Sequence, residues 1–153
     1  MEIATKVLPN IWVGNSLAAE KESFFEKEKI KAVINMTPTI PNFFAYDASI
    51  EYIRIPVYDT KNKLNQEQML EYLPIITEFI YKSVVLEDKN ILIHCNTGKQ
   101  RSCVAVCAYL IKYYSMNPSE AVSMISTKKK DAFNGTKSVM FAKALNKWYL
   151  KLK

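Results

Sequence analysis

At 153 residues the chain has the length of one domain, residues 1–153, and enough of it to bury about 70% of its unfolded surface in a core. A composition of 49% hydrophobic and 24% charged residues with a net charge of +6 is that of a soluble globular protein, with no apolar run long enough to span a membrane and no signal-peptide pattern in Met1-Glu2-Ile3-Ala4-Thr5-Lys6. Three cysteines argue against a disulfide framework and for a reducing compartment, the cytoplasm or nucleus, and one histidine without an acidic cluster argues against a metal site.

Ile3–Asn15 predicts two short strands around the turn pair Pro9-Asn10, with Trp12 as a core aromatic. Ser16 is placed to cap a helix over Leu17–Lys29 whose buried side carries Leu17, Phe24 and Phe25. Lys31–Met36 follows as a buried strand. Thr37–Ala48, with two prolines and no period, is a loop in which Phe43 and Phe44 either pack or stand exposed to recruit substrate. Glu51–Val57 predicts a strand closed by Pro56. Its arginine, Arg54, suits a solvated or edge position.

Asp59 sits on the loop just past that strand, a common place for catalytic groups in α/β folds. Its ordinary reading is a turn aspartate, and its functional one is a general acid. Asp47, Asp88 and Asp131 are weaker candidates for the acid. Asn65 and Gln68 form a capping pair for a helix over Gln66–Lys82, bent or shifted by Pro74 and buried along Met69, Leu70, Leu73, Ile76, Phe79 and Ile80. Glu87–Asn90 is the turn into the next strand.

Ile91–Ser102 combines three features: an apolar strand, a polar loop containing Gly98, and the start of a second apolar run, Cys103–Ile111. Strand, tight loop and helix in that order aim backbone N–H groups at one point, and the helix dipole adds positive potential there. The loop is therefore an anion site with Cys95 at its entrance. A thiol of pKa about 8.5 in water is lowered by a helix N-terminus and a nearby guanidinium, which predicts a thiolate at neutral pH. Arg101 offers a planar fork for two phosphate oxygens, and it is one of only two arginines in a chain that otherwise uses lysine. Ser102 places a hydroxyl where it can donate to the sulfur. His94 and Cys95 are neighbours on a strand, so their side chains diverge; His94 is expected to be buried and to hydrogen-bond the loop rather than act as a base. Together these residues describe phosphoryl transfer to sulfur.

Cys103–Tyr114 predicts a helix buried on most sides. Cys103 and Cys107 share one face, where packing is the ordinary role and exchange with an oxidised Cys95 the alternative. Asn117-Pro118-Ser119-Glu120 is a helix start with cap, proline and glutamate in register, and that helix runs to Lys128-Lys129-Lys130. Ser138 is placed to cap a last helix, Val139–Lys151. The element order predicts an α/β fold with a central, mostly parallel sheet of about five strands flanked by helices.

His94-Cys95-Asn96-Thr97-Gly98-Lys99-Gln100-Arg101-Ser102 resembles the His-Cys-x5-Arg-Ser/Thr signature of cysteine-dependent protein phosphatases, and most of all the dual-specificity group. Further likeness lies in Val7–Asn15, in Asn35–Pro38, in Pro41–Phe44, in Ile55-Pro56-Val57-Tyr58-Asp59, which matches the family's acid-bearing segment, and loosely in Lys130–Leu145. The resemblance spans about residues 7 to 150. It implies a phosphocysteine intermediate with Cys95 as nucleophile and Asp59 as general acid, then base. Phosphate would be held by Arg101 and by the loop residues Asn96, Thr97, Gly98, Lys99 and Gln100. It also implies no metal and no cofactor. The expected substrate is a protein phosphorylated on tyrosine or serine/threonine, with no nucleic acid or membrane as partner.

The loop departs from the group's usual pattern at Thr97, Lys99 and Gln100. A lysine two before the arginine also occurs in phosphatases of phosphoinositides and of inositol pyrophosphates, where a second positive charge suits several phosphates. These are the alternative substrates, ahead of RNA 5′-triphosphates. A phosphate-binding pseudophosphatase is the non-enzymatic alternative, opposed by the presence of Cys95, Arg101, Ser102 and Asp59 together.

Overall fold

Residues 2–153 are described by a computed structural model of the chain. Ile91-Leu92-Ile93 is apolar at every position because the strand it forms, β5 (Asn90–His94), is covered on both faces. β5 lies at the centre of a five-stranded sheet of order β1-β2-β5-β3-β4, the others being β1 (Ala4–Leu8), β2 (Ile11–Gly14), β3 (Ile30–Asn35) and β4 (Glu51–Arg54). β1 runs antiparallel to β2 through the turn at Asn10, whose φ is 69°. The pairs β2–β5, β5–β3 and β3–β4 are parallel. The expected α/β architecture is the one observed.

The larger core fills the face covered by α3 (Lys63–Tyr81), α4 (Arg101–Tyr113), α5 (Pro118–Lys128) and α6 (Ala142–Lys151). Met69, Leu73, Ile76 and Ile80 of α3 are fully buried there, and Trp148 of α6 donates its indole N–H to the Ala108 carbonyl at 3.0 Å. The opposite face is covered by α1 (Ser16–Glu20), α2 (Glu22–Glu28) and the loop after β3. Phe25 and Phe44 pack there with ring centroids 4.7 Å apart, so the packing reading of Phe44 is the correct one. Trp12 meets Phe24 edge-on at 5.2 Å.

Several boundaries differ from the sequence reading. The helix expected over Leu17–Lys29 is two short helices broken at Lys21. Asn15, not Ser16, caps the first by accepting the Ala18 N–H, and Leu17 is turned outward at 45% exposure. β4 ends at Arg54 because Pro56 has no N–H to continue the ladder. α3 starts at Lys63, capped by Asn62 rather than Asn65, and runs unbroken through Pro74 into a π turn over Lys82–Leu86. Asn117 and Glu120 form the expected reciprocal capping box of α5. Ser138 caps nothing: α6 begins four residues later, at Ala142.

Candidate active site

The strands β2, β5 and β3 end side by side, and their ends frame the loop Cys95–Gln100. The Met36 N–H donates to the His94 carbonyl at 2.8 Å, and the Cys95 N–H reaches the Gly14 carbonyl at 3.4 Å. Gly98 makes the turn possible in two ways. Its φ is +74°, and a Cβ there would lie 2.9 Å from the Gly14 backbone, so the loop can sit against β2 only without a side chain at this position. On the other side the Ser16 N–H donates to the Asn96 carbonyl at 3.0 Å, fixing the loop to α1.

The Cys95 sulfur is buried at the bottom of this turn. It accepts the Gly98 N–H at 3.3 Å and lies 3.3 Å from the Ser102 hydroxyl in the first turn of α4. The sulfur thus faces the N-terminus of a 13-residue helix, where partial positive charge concentrates. Among the described residues, the N–H groups of Asn96, Thr97, Lys99 and Gln100 have no protein acceptor. A loop with several uncommitted donors around a sulfur is an oxyanion cradle.

Arg101 is 7% exposed. Its Nη1 donates to the Val57 carbonyl at 2.8 Å, while its Nε is buried without a partner. Val57 stands two residues before Asp59, so this bond joins the cradle to the loop bearing the acid. Asp59 is half-buried and its Oδ1 has no hydrogen-bond partner. Burial raises its pKa above the ordinary carboxylate value, and the charge of Arg101 opposes that rise. The structure therefore sets Ser102 against the Cys95 sulfur and ties Arg101, the residue before Ser102, to the loop that bears Asp59, whose carboxyl feels the Arg101 charge.

Two loop residues also bond to segments outside the loop. Gln100 is buried and its side chain turns away from the cradle. Its Nε2 donates to the Ser138 carbonyl at 3.0 Å and its Oε1 accepts the Met140 N–H at 2.9 Å, so only its backbone faces the anion loop. Lys99 uses its carbonyl to accept the Phe133 N–H at 2.7 Å, with Phe133 held in the left-handed region at φ 55°. His94 is buried, with Nδ1 3.4 Å from the Cys95 carbonyl, and burial depresses its pKa to about 4, leaving a neutral ring at physiological pH. Cys103 and Cys107 are buried free thiols whose pKa values burial pushes up, which suits packing rather than exchange.

Three positioning side chains escaped the sequence reading. Asn65 is buried, and its Nδ2 donates to Thr60 Oγ1 at 2.6 Å and to the Tyr58 carbonyl at 3.3 Å, so it holds the chain on both sides of Asp59. Gln66 donates to the Met140 carbonyl and accepts the Ala144 N–H, continuing the Gln100 clamp into α6. Arg54 lies on β4, an edge strand of the sheet, as expected, but it is held rather than solvated: its Nη1 donates to the Thr37 carbonyl at 2.9 Å and secures the loop after β3. The signal for the two amides was their place on the buried stripe of α3, where Asn65 and Gln66 precede Met69 and Leu73 by four and seven positions.

The comparisons with known proteins agree with this geometry. The model of the family "Dual specificity phosphatase, catalytic domain" matches residues 11–150. The chain belongs to the dual specificity phosphatase family. Human dual specificity protein phosphatase 9 is 26% identical over 126 residues, which is 82% of this chain and 32% of that protein. The tyrosine-protein phosphatase vhp-1 of Caenorhabditis elegans is 29% identical over 82% of this chain and 18% of its own length. The chain thus spans a third or less of these two relatives. Human DUSP28 shares the fold, with a TM-score of 0.82 at 20% identity over 99% of this chain and 96% of that one.

Proposed function

We propose that this dual specificity phosphatase domain hydrolyses phosphotyrosine and phosphoserine/threonine in proteins through a phosphocysteine intermediate. The observation that carries this reading is the Cys95 sulfur held between the Gly98 N–H and the Ser102 hydroxyl, with the adjoining Arg101 tied to the loop that bears the unpartnered Asp59 Oδ1. In this scheme the phosphate oxygens take the loop N–H groups and the Arg101 fork. The Cys95 sulfur attacks phosphorus, the bond from phosphorus to the ester oxygen breaks, and Asp59 delivers its proton to that oxygen. A raised pKa keeps Asp59 protonated over more of the working range. Asp59, now a carboxylate, takes a proton from water. The resulting hydroxide displaces sulfur from phosphorus, and the Ser102 hydroxyl donates to the departing sulfur.

The test is phosphate release from doubly phosphorylated Thr/Tyr peptides. Cys95→Ser is expected to abolish turnover while still binding the phosphopeptide; release equal to wild type overturns the mechanism. Lys99 supports a second reading, an inositol polyphosphate or phosphoinositide substrate, because among the described residues no carboxylate lies within 4.0 Å of its ammonium group. Faster turnover of those compounds than of peptides would favour it. Cleavage of phosphotyrosine alone would narrow the first.

A further inference from the structure

α3 and α6 leave a groove of about 220 Å³ between them, lined by Lys63, Gln66, Glu67, Leu70, Lys143, Ala144 and Lys147. Its floor is apolar, from Leu70 and Ala144, and its rim is basic. Lys63, Lys143 and Lys147 are all exposed, and the one carboxylate among them, Glu67, stands 4.0 Å from Lys63. No carboxylate of the described residues lies within 4.0 Å of Lys143 or Lys147. On α6 these two lysines are followed by Lys151 at the same spacing of four, which puts three like charges along one helix face. Like charges at that spacing repel one another, and only Lys151, in the last turn, is favourably placed for the helix dipole.

Two connections tie this groove to the catalytic site. Lys63 stands four residues beyond Asp59, so their Cα atoms are at most about 14 Å apart, the reach of four extended residues. On the same helix, Gln66 holds the Met140 carbonyl while Gln100 holds the Met140 N–H. The groove therefore adjoins the acid loop along the chain and shares the Met140 clamp with the cradle.

We propose that this groove binds an acidic segment of the phosphoprotein substrate, with Asp or Glu about three to six positions from the phosphorylated residue. Charge complementarity selects the occupant: three ammonium groups against one carboxylate draw a polyanion, and the apolar floor accepts the side-chain stems between its acidic groups. The proposal rests on the protein phosphatase reading of the site and assigns it a sequence preference. Ion pairs here are solvent-exposed, so the preference is moderate in size and falls as salt rises.

The experiment compares two phosphotyrosine peptides of equal length, one with glutamates three to six positions on either side of the phosphoresidue and one with glutamines there. The wild-type chain is expected to show a kcat/KM about five- to tenfold higher for the acidic peptide, carried by KM, as suits two or three exposed ion pairs. The double variant Lys143→Glu/Lys147→Glu is expected to lose that preference while hydrolysing p-nitrophenyl phosphate at the wild-type rate, and Lys143→Arg/Lys147→Arg to keep it. Equal kcat/KM for the two peptides, or a preference untouched by the charge reversal, overturns the inference. If the wild-type chain fails to turn over the peptides and p-nitrophenyl phosphate alike, the phosphatase reading fails instead. The groove is then judged by fluorescence anisotropy of the labelled acidic peptide, whose binding must still depend on Lys143 and Lys147. Charge-dependent binding of phosphoinositide vesicles or inositol hexakisphosphate without binding of the peptide also overturns it.

Discussion

Asn65→Ala tests whether the acid loop is held by its neighbour's amide. The Nδ2 group makes a short bond to Thr60 Oγ1 at 2.6 Å and a long one to the Tyr58 carbonyl at 3.3 Å. Asn65 contributes to the start of α3 only through its backbone N–H, which donates to Asn62, so the helix cap survives the substitution. The cost in stability is about 1–2 kcal/mol, one good hydrogen bond and one weak one lost from a buried group. The catalytic cost is larger. A positioned general acid contributes about 10²–10⁴-fold, and a displacement of roughly 1 Å forfeits about 100-fold of such an effect.

The variant is therefore expected to lose about 10- to 100-fold in kcat on alkyl phosphates, whose leaving oxygen needs the proton. On an aryl phosphate with an acidic leaving group it should lose less than about threefold. KM should stay near wild type on both, because the cradle is untouched. The decisive assay repeats the measurement in an Asp59→Asn background. If Asn65 acts through Asp59, Asn65→Ala does almost nothing further there. An equal loss in both backgrounds, or an equal loss on both leaving groups, refutes the argument and leaves Asn65 as ordinary packing.

Gly98→Ala places a Cβ 2.9 Å from the Gly14 backbone at a φ of +74°, so it should cost about 2 kcal/mol or more in denaturant unfolding and remove nearly all turnover. Wild-type kcat in that variant would mean that the loop tolerates a different turn. His94 is buried with a pKa of about 4 against 6.5 in an exposed ring. The unfolded chain therefore binds its proton first, stability falls as pH drops from 6.5 towards 4, and the loss is about 2 kcal/mol by pH 5. His94→Gln should flatten that part of the stability–pH curve, and an unchanged slope between pH 8 and 5 would place the titration elsewhere. Asp59 has the opposite sign: its raised pKa means that the folded state holds the proton longer, so its charge opposes folding once pH rises past the unfolded value. Asp59→Asn should unfold at equal or higher denaturant concentration at pH 7 while slowing alkyl phosphate hydrolysis, and a destabilised variant would contradict the assigned cause.

The anion loop was legible because its signal is contiguous: strand, glycine, arginine and helix start within twelve residues, each demanded by local geometry. The sheet was legible for a related reason, since apolar runs such as Ile91-Leu92-Ile93 admit one placement in a chain of this size. Helix starts were less so. At Asn15-Ser16 and again at Asn62 and Asn65, two residues competent to cap stand near one another, and the entry path of the chain decides between them. The clamps were hidden because their partners are backbone groups far away in sequence. Gln66 meets Met140 and Ala144 across more than seventy positions, and Gln100 meets Ser138 and Met140 across about forty. A carbonyl or N–H has no signature by which a pattern could find it. The bond made by Arg54 from its edge strand was hidden for the same reason: its partner is the Thr37 carbonyl.

Arg54 aside, four side chains that fasten the loops around the site share a chemistry that fits their place. Asn35, Asn65, Gln66 and Gln100 fasten the loop after β3, the acid loop and the segment before α6 to the sheet and to the cradle, and all four are amides. An amide donates and accepts at once and carries no charge at any pH. A lysine or glutamate in the same positions would add a full charge within the field of an anion site. It would shift the pKa of Asp59, and it would either draw phosphate from Arg101, as a lysine, or pair with Arg101 in place of phosphate, as a glutamate. Buried charges also demand partners, and an unpaired one costs more than the bond it makes. Neutral fasteners thus let the strand ends, the α4 terminus and Arg101 set the potential at Cys95. Replacing Gln100 by Glu tests this directly. The bond to the Met140 N–H survives, the bond to the Ser138 carbonyl is lost, and a negative charge enters beside the cradle. That variant should weaken phosphate binding by more than Gln100→Ala does, as read by inhibition with inorganic phosphate, whereas equal weakening by the two would show that the loop responds only to the broken clamp.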